Sequence, residues 1–492
     1  MCMIRPIADA GWRFDNSYAR LPEPLHSAAM PTAVRAPALV IVNEPLATDL
    51  GLDPAALAAD GAATFAGNEL PPGAEPIAQA YAGHQFGHFT NLGDGRAILL
   101  GEQIAPDGRR ADIQLKGAGR TRYSRGGDGR AALGPMLREY VISEALHALG
   151  IPTTRSLAVA MTGEAVLRAT PLPGAVLTRV AASHIRVGTF QFAAAAGGPD
   201  LLAPLLDHAI ARHDPAVAAA DEPAIAFLEA VVDRQAALIA RWMLVGFVHG
   251  VMNTDNMAVS GETIDYGPCA FLDRYDPATV FSSIDQHGRY AYANQPGIAH
   301  WNLARLAECM LPLVAGDDDR RLAAVQDVLG TFPDRYRRHH LAGARAKLGL
   351  ATAEEGDAAL FADLLARMHE TGADFTATFA GLARLAEAGP DGAPAEGAAG
   401  SPAWLAAWRA RLAREPGPIA AAVARMRRAN PVVIPRNHRV EEALAAADVG
   451  DLAPLRGLLA ALRDPFAESP ANEPYRAGPP AGCDPYRTYC GT

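Results

Sequence analysis

Two stretches of this chain carry residue types that could do chemistry together. One is His249-Gly250-Val251-Met252-Asn253-Thr254-Asp255-Asn256, and the other is Ile264-Asp265-Tyr266-Gly267. The amide oxygen of Asn256 and the carboxylate of Asp265 are hard donors. With phosphate oxygens and water they suit octahedral Mg²⁺. Asp255, beside Asn256, is placed to accept a proton, whereas His249 reads as a structural loop histidine. A third group lies far upstream. Lysine occurs only at Lys116 and Lys347 in a chain otherwise rich in arginine. A lysine retained against that bias points to a position where a compact ammonium serves and a planar guanidinium does not. Lys116 ends a strand-like segment, Asp112-Ile113-Gln114-Leu115-Lys116, and is the candidate. Lys347 lies in a polar, alanine-rich stretch and reads as a surface residue.

Elements must bring these groups together. Arg96–Leu100 and Asp112–Lys116 read as strands joined by the turn Pro106-Asp107-Gly108. An Arg/Gly loop follows from Gly117 to Arg130. Helical periodicity then runs from Pro135 to Leu149 and is stopped by Gly150 and Pro152. Leu157–Ala160 and Ala165–Ala169 read as further strands. From about residue 200 the pattern is helical. Pro223 opens a long apolar helix that ends at the His249–Asn256 loop, short strands are expected around Glu262, and Trp301–Leu313 is amphipathic. Residues 388–401 are a Gly/Ala/Pro/Glu linker, and the end of the chain from Pro465 reads as irregular.

A strand-rich half, a helix, then a helical half with polar loops is the order of a two-lobed protein kinase. Such a site needs a glycine turn over the nucleotide, a strand lysine, a helix glutamate to hold it, a loop Asn and a later Asp. Gly93-Asp94-Gly95-Arg96 could supply the turn, although taken alone it reads better as a plain hairpin turn. Glu139 is the candidate partner of Lys116, with Glu144 as a rival. No Gly-x-x-x-x-Gly-Lys-Ser/Thr loop is present. Val251 stands where a kinase carries its catalytic Asp. Valine cannot deprotonate a hydroxyl, so either the protein only binds nucleotide or another group, with Asp255 the nearest, does the work. Arg120, Arg122, Arg125, Arg130, Arg179 and Arg186 add positive charge that suits polyphosphate. The expected layout is α+β: an arm over residues 1–75, a kinase-like N-lobe over 76–180, a C-lobe over 181–345 and a helical extension over 346–492.

Composition narrows the alternatives. The formal net charge of -10 argues against a general nucleic-acid binder. Neither a secretion signal nor a membrane span is visible. Five cysteines, at 2, 269, 309, 483 and 490, form no disulfide framework, which fits the cytoplasm. His84 and His88 have the spacing of a helical zinc pair. However, Gly83 and Gly87 argue against a helix and no third ligand stands out, so zinc is not the favoured reading.

Taken with Phe14-Asp15-Asn16-Ser17-Tyr18, Tyr81-Ala82-Gly83-His84-Gln85-Phe86-Gly87, Gln114–Thr121, Asn294-Gln295-Pro296, Trp301–Leu306 and Asn430-Pro431, these motifs resemble the selenoprotein O family of protein adenylyltransferases nearly end to end. The resemblance implies a pseudokinase-like fold that binds ATP reversed. The α-phosphate then meets the acceptor, and AMP passes to a Ser, Thr or Tyr hydroxyl of a protein as pyrophosphate leaves. Transfer of UMP from UTP is implied for bacterial members. It also implies roles for individual residues: Lys116, Gly93, Gly95, Arg96, Asp128, Gly129, Arg179 and Arg186 at the nucleotide, and Glu139 orienting Lys116. Asp255 is implied as proton acceptor, with Asn256 and Asp265 on Mg²⁺ or Mn²⁺. Cys490 falls at the third-last position, where many animal members carry selenocysteine. Some bacterial members pair that cysteine with one in the activation segment, but here Phe281 stands in the partner's place.

Overall fold

The computed structural model of the chain describes residues 10–389, 401–480, 482 and 486–488. Its architecture is α+β. The principal sheet takes β1 (His26–Ala28), β2 (Ala38–Val42), β3 (Ile77–Gln79), β6 (Ala97–Ile104), β7 (Arg110–Lys116), β9 (Arg155–Leu167) and β10 (Pro171–Ala181) in the spatial order β1-β3-β6-β7-β10-β9-β2. Short β8 (Ala131–Ala132) adds to β10, and β4 (Ala82–Gln85) with β5 (His88–Asn91) forms a separate hairpin. Every pairing is antiparallel.

β6 and β7 are buried along nearly their whole length because both faces of the sheet are covered. On one face Ile98, Leu100, Ile113 and Leu115 pack with Leu46 of α1 (Glu44–Asp49), Leu57 of α2 (Pro54–Asp60) and Phe65 of α3 (Ala62–Ala66). On the other, Val159, Ala175 and Leu177 meet Met136, Leu137 and Val141 of α4 (Leu133–Ala148). β6 accordingly starts as the apolar run Ala97–Leu100, whereas β7 alternates, setting Ile113 and Leu115 in the core and the polar Asp112, Gln114 and Lys116 on the opposite face.

The helical remainder follows. It begins with α5 (Val187–Gly197), α6 (Pro199–His213) and α7 (Pro223–Val245), then the two-strand ribbon of β11 (Phe247–Val248) and β12 (Ala270–Phe271). Next are α8 (Gln295–Met310), α9 (Asp318–Gly330), α10 (Phe332–Lys347), α11 (Asp357–Thr371), α12 (Phe375–Glu387), α13 (Pro402–Leu412) and α14 (Ile419–Ala429). The chain closes with α15 (Asn437–Asp448), α16 (Ala453–Leu462) and α17 (Glu473–Arg476). Pro223 starts α7 at a position where its missing N–H costs nothing. Gly246, at φ +74°, ends it in the left-handed conformation that favours glycine. Val440 and Leu444 of α15 and Leu455 and Leu458 of α16 return to pack on α4, so the last helices brace the sheet from behind.

Several expectations change. The N-terminal segment is not merely an arm, since β2 extends the sheet by pairing with β9. Ala165–Ala169 is not a strand of its own; β9 runs unbroken to Leu167 and turns into β10. Around Glu262 there are no strands, only the single bridges Arg186–Ala258 and Thr153–Thr263. The helix expected at Trp301 already starts at Gln295. Lys347 is 3% exposed, with Nζ 4.1 Å above the Phe379 ring. The chain end is not wholly irregular. Thr488 donates its backbone N–H to the Phe281 carbonyl (2.8 Å) and its hydroxyl to the Pro268 carbonyl (2.9 Å). Cys490 and most of the 388–401 linker lie outside the described residues. No helix among the described residues is long and apolar enough to cross a membrane.

Candidate active site

β7 delivers Lys116 to the end of the sheet, and α4 presents Glu139 opposite it. Nζ of Lys116 donates to Glu139 Oε2 and to Asp265 Oδ1, both at 2.7 Å. Arg179 of β10, directly beside β7, donates to Glu139 Oε1 (2.6 Å) and Asp265 Oδ1 (2.5 Å). Arg186, just before α5, brings Nη2 to 3.6 Å from Asp265 Oδ2, and its guanidinium carbon lies over the Tyr81 ring, 4.3 Å from the centroid. Arg186 also brings Nη1 to 3.9 Å from Asp94 Oδ1, so three cations face three carboxylates, and the two guanidinium forks keep the geometry that suits phosphate. Glu144, the rival to Glu139, is instead engaged by Arg155.

Burial alone would push the Asp265 carboxyl up. Arg179, Lys116 and Arg186 overcome it and hold Asp265 well below the ordinary carboxylate range. Glu139 is lowered in the same way: Arg179 and Lys116 outweigh its burial. Both therefore stay ionised at neutral pH. Asp265 also adopts φ +63°, a conformation uncommon for a residue other than glycine.

The loop after β11 supplies the remaining groups. His249 is fully buried, its Nε2 2.9 Å from the Ile264 carbonyl and its ring against Trp242, which is a structural role. Asn256 donates Nδ2 to the Val251 carbonyl at 2.9 Å, which commits its nitrogen and leaves its amide oxygen available as an acceptor. An Asn oxygen and an Asp carboxylate form an all-oxygen donor pair, and Mg²⁺ typically takes such a pair alongside phosphate and water. Asp255 is 8% exposed, its Oδ1 has no hydrogen-bond partner, and burial pushes its carboxyl up to about 6.

What holds Asp255 was not legible in the motifs. The β4–β5 hairpin lies on this loop: His84 N–H donates to Thr254 Oγ1 (2.7 Å), and Phe86 N–H donates to Asn253 Oδ1 (3.1 Å). Gly83 sits against Asp255 so closely that a Cβ there would fall 2.0 Å from Oδ1. The glycine in an otherwise strand-like run was the signal available. The hairpin also settles the histidine pair. His84 and His88 stand on opposite strands, and the His84 ring packs edge-on to Trp301.

Other anticipated residues make their contacts elsewhere. A Cβ on Gly93 would meet the Tyr123 ring at 2.4 Å, and one on Gly95 would meet the Tyr123 carbonyl at 2.8 Å, so these glycines admit the Arg/Gly loop over the turn. The loop is tied there by Thr121 Oγ1 donating to the Asp94 carbonyl (2.6 Å). Asp94 itself is buried, accepts from Gln79 N–H (3.1 Å) and Gln114 Nε2 (3.2 Å), and is pushed up to about 6 by burial. Arg96 is half-buried beside the turn. Asp128 pairs with Arg168 at 2.8 Å, and Gly129, at φ +69°, backs onto Gly119. Neither of these two touches the Lys116–Asp265 cluster. Arg120, Arg122 and Arg125 are exposed on the same loop, and none of them ion-pairs with a described carboxylate.

Comparison with known proteins places this geometry. The family described as Protein adenylyltransferase SelO matches residues 11–463. A Protein nucleotidyltransferase YdiU of Geobacillus kaustophilus is 60% identical over 486 residues, covering 98% of this chain and 100% of that protein. Proteins of the same name from Rhizobium etli (58% identical, covering 98% of each chain) and Methylorubrum extorquens (57%, covering 97% of this chain and 99% of that one) are similarly close. A match from β1 through α16 that includes every element of the site leaves one assignment: the chain belongs to the SelO family of protein adenylyltransferases.

Proposed function

We propose that this protein moves AMP from ATP, and UMP from UTP, onto Ser, Thr or Tyr hydroxyls of acceptor proteins, releasing pyrophosphate. Asp255 carries the reading. It is the carboxylate that remains on the catalytic loop when residue 251 is valine, and its Oδ1 is buried without a partner. A group left so can accept a proton from a hydroxyl brought beside it. The acceptor oxygen then bonds to the α-phosphorus, the bond from that phosphorus to the bridging oxygen breaks, and the electron pair leaves with pyrophosphate.

In this reading the fold is a two-lobed kinase-like one, with the sheet as N-lobe, the helices from α5 as C-lobe and the segment after residue 345 as an extension. Lys116, Arg179 and Arg186 hold phosphate oxygens, and Glu139 keeps Lys116 aimed. Gly93, Gly95, Arg96, Asp128 and Gly129 line the nucleotide, and the free arginines of the Arg/Gly loop favour its reversed orientation. Asn256 and Asp265 would hold Mg²⁺ or Mn²⁺, which supplies charge neutralisation to the phosphates. The cytoplasm is the compartment that suits the buried free thiols of Cys269 and Cys309.

The test offers purified protein ATP labelled at the α or the γ position, with Mg²⁺ or Mn²⁺, beside Asp265→Ala. Label should enter protein only from α-labelled ATP and vanish in the variant. Label arriving only from the γ position would make the protein a kinase and refute the reading.

A further inference from the structure

A groove of about 710 Å³ opens beside the catalytic loop, between the 284–289 segment and the start of α8. Its nearer wall is Phe86, whose backbone N–H is bonded to Asn253, two residues from Asp255. Tyr290 seals the same junction, donating its hydroxyl to Asn253 Oδ1 at 2.7 Å and packing on the Phe86 ring. The groove and the proposed proton acceptor therefore share one rigid support.

Its chemistry is uneven. Asp285 lies in the wall, but its two carboxylate oxygens already accept the backbone N–H groups of Arg289 (2.9 Å) and Tyr290 (2.8 Å). Arg289 is in the opposite condition. Its guanidinium lies 5.0 Å from the Trp301 ring, Nε is buried without a hydrogen-bond partner, and no described carboxylate ion-pairs with it. A cation fixed by an aromatic face and lacking an anion is prepared for one. Apolar surface flanks it: Ile284 is 54% exposed, and Ile298 lines the floor. The groove is thus positive at one point and apolar beside it, on a protein whose net charge is -10.

We propose that this groove docks the acceptor protein, taking an extended segment around the modified hydroxyl. Arg289 pairs with an Asp or Glu of that segment, and Ile284 and Ile298 receive an apolar side chain. The inference rests on the nucleotidyl-transfer reading and adds its specificity determinant. Arg289 acts on the acceptor through docking and has no part in the proton transfer.

The experiment uses the full-length protein, α-labelled ATP and arrayed peptides. Each peptide carries one fixed Ser, Thr or Tyr, and every flanking position is scanned through the amino acids. The wild-type protein should favour Asp or Glu at one flanking position and an apolar residue at another, by about tenfold over alanine. Arg289→Glu should exchange the acidic preference for Lys or Arg and leave the apolar one. Ile284→Asp, at an exposed position that tolerates change, should abolish the apolar preference alone. ATP-dependent thermal stabilisation equal to wild type establishes that each variant is folded. Labelling that is flat across flanking positions, or a preference that both variants retain, overturns the groove while the transfer reading stands. Absence of label on every peptide and on a bacterial protein extract overturns the transfer reading and the groove with it.

Discussion

Replacing Gly83 with alanine tests Asp255 without touching it. The added methyl would sit 2.0 Å from Oδ1, 2.6 Å from Cγ and 2.9 Å from Cβ of Asp255. Because even Cβ is too close, turning the carboxylate to another rotamer does not clear the overlap, and the residue must retreat by about 1 Å in a close-packed interior. The Lys116–Glu139–Asp265 contacts belong to other elements and stay as they are. A misplacement of ~1 Å at a reacting group costs about 10²-fold in rate, and overpacking costs about 1–3 kcal/mol of stability. The expectation is therefore a roughly hundredfold loss in incorporation of α-label from ATP. ATP should still raise the melting temperature by the wild-type increment, and the apo protein should melt a few degrees lower. Incorporation within about threefold of wild type, in a variant that binds ATP normally, would refute the assignment of the proton acceptor to Asp255.

Two further expectations concern stability. Burial pushes the Lys347 ammonium down to about 7, so between pH 7 and its unfolded value of 10.5 the unfolded chain binds more protons and stability rises with pH. Stacking on Phe379 offsets part of the cost of the charge, and Lys347→Met should gain ~1–3 kcal/mol at pH 7 in urea unfolding, an advantage that shrinks toward pH 10. A constant difference across that range would contradict this account. Truncation after residue 485 removes the four backbone and side-chain bonds of Thr488 to Phe281, Ser283 and Pro268, together with Tyr486, which accepts from Arg138 and packs on Phe281. It should cost ~1–3 kcal/mol and speed protease cleavage within 281–289, and an unchanged cleavage rate would show that the tail does not hold that segment.

The parts of the site that could be read in advance are those fixed by local signals. The β6–β7 hairpin, the helix carrying Glu139 and the loop before Asp265 each have their own turn residues and periodicity. Their order alone therefore implied a Lys116–Glu139 pair with Asp265 at the same site, while the direct contact of Asp265 with Lys116 emerges only from the packing. What escaped depends on contacts between segments far apart in the chain. His84 meets Thr254 across 170 positions, and nothing in either neighbourhood announces the other. Lys347 misled because α10 is polar over most of its length, with Arg335, Arg337, Arg338, His339 and His340 ahead of it. Its last turn places Lys347 over Phe375 and Phe379 of α12, and there tertiary packing overrides the local pattern. The groove around Arg289 was invisible for a further reason. A cation's lack of an anion shows only when its whole surroundings are in view.

The anchorage of Thr488 also sets an order in time. Its partners, Phe281, Ser283 and Pro268, lie just past Asp265, more than 200 positions earlier in the chain. During synthesis, which proceeds from the N-terminus, the sheet, the cation cluster and nearly all the helices can form before residue 488 exists. The segment bordering the acceptor groove is therefore tied down late, and it is secured only after residue 488 has been synthesised.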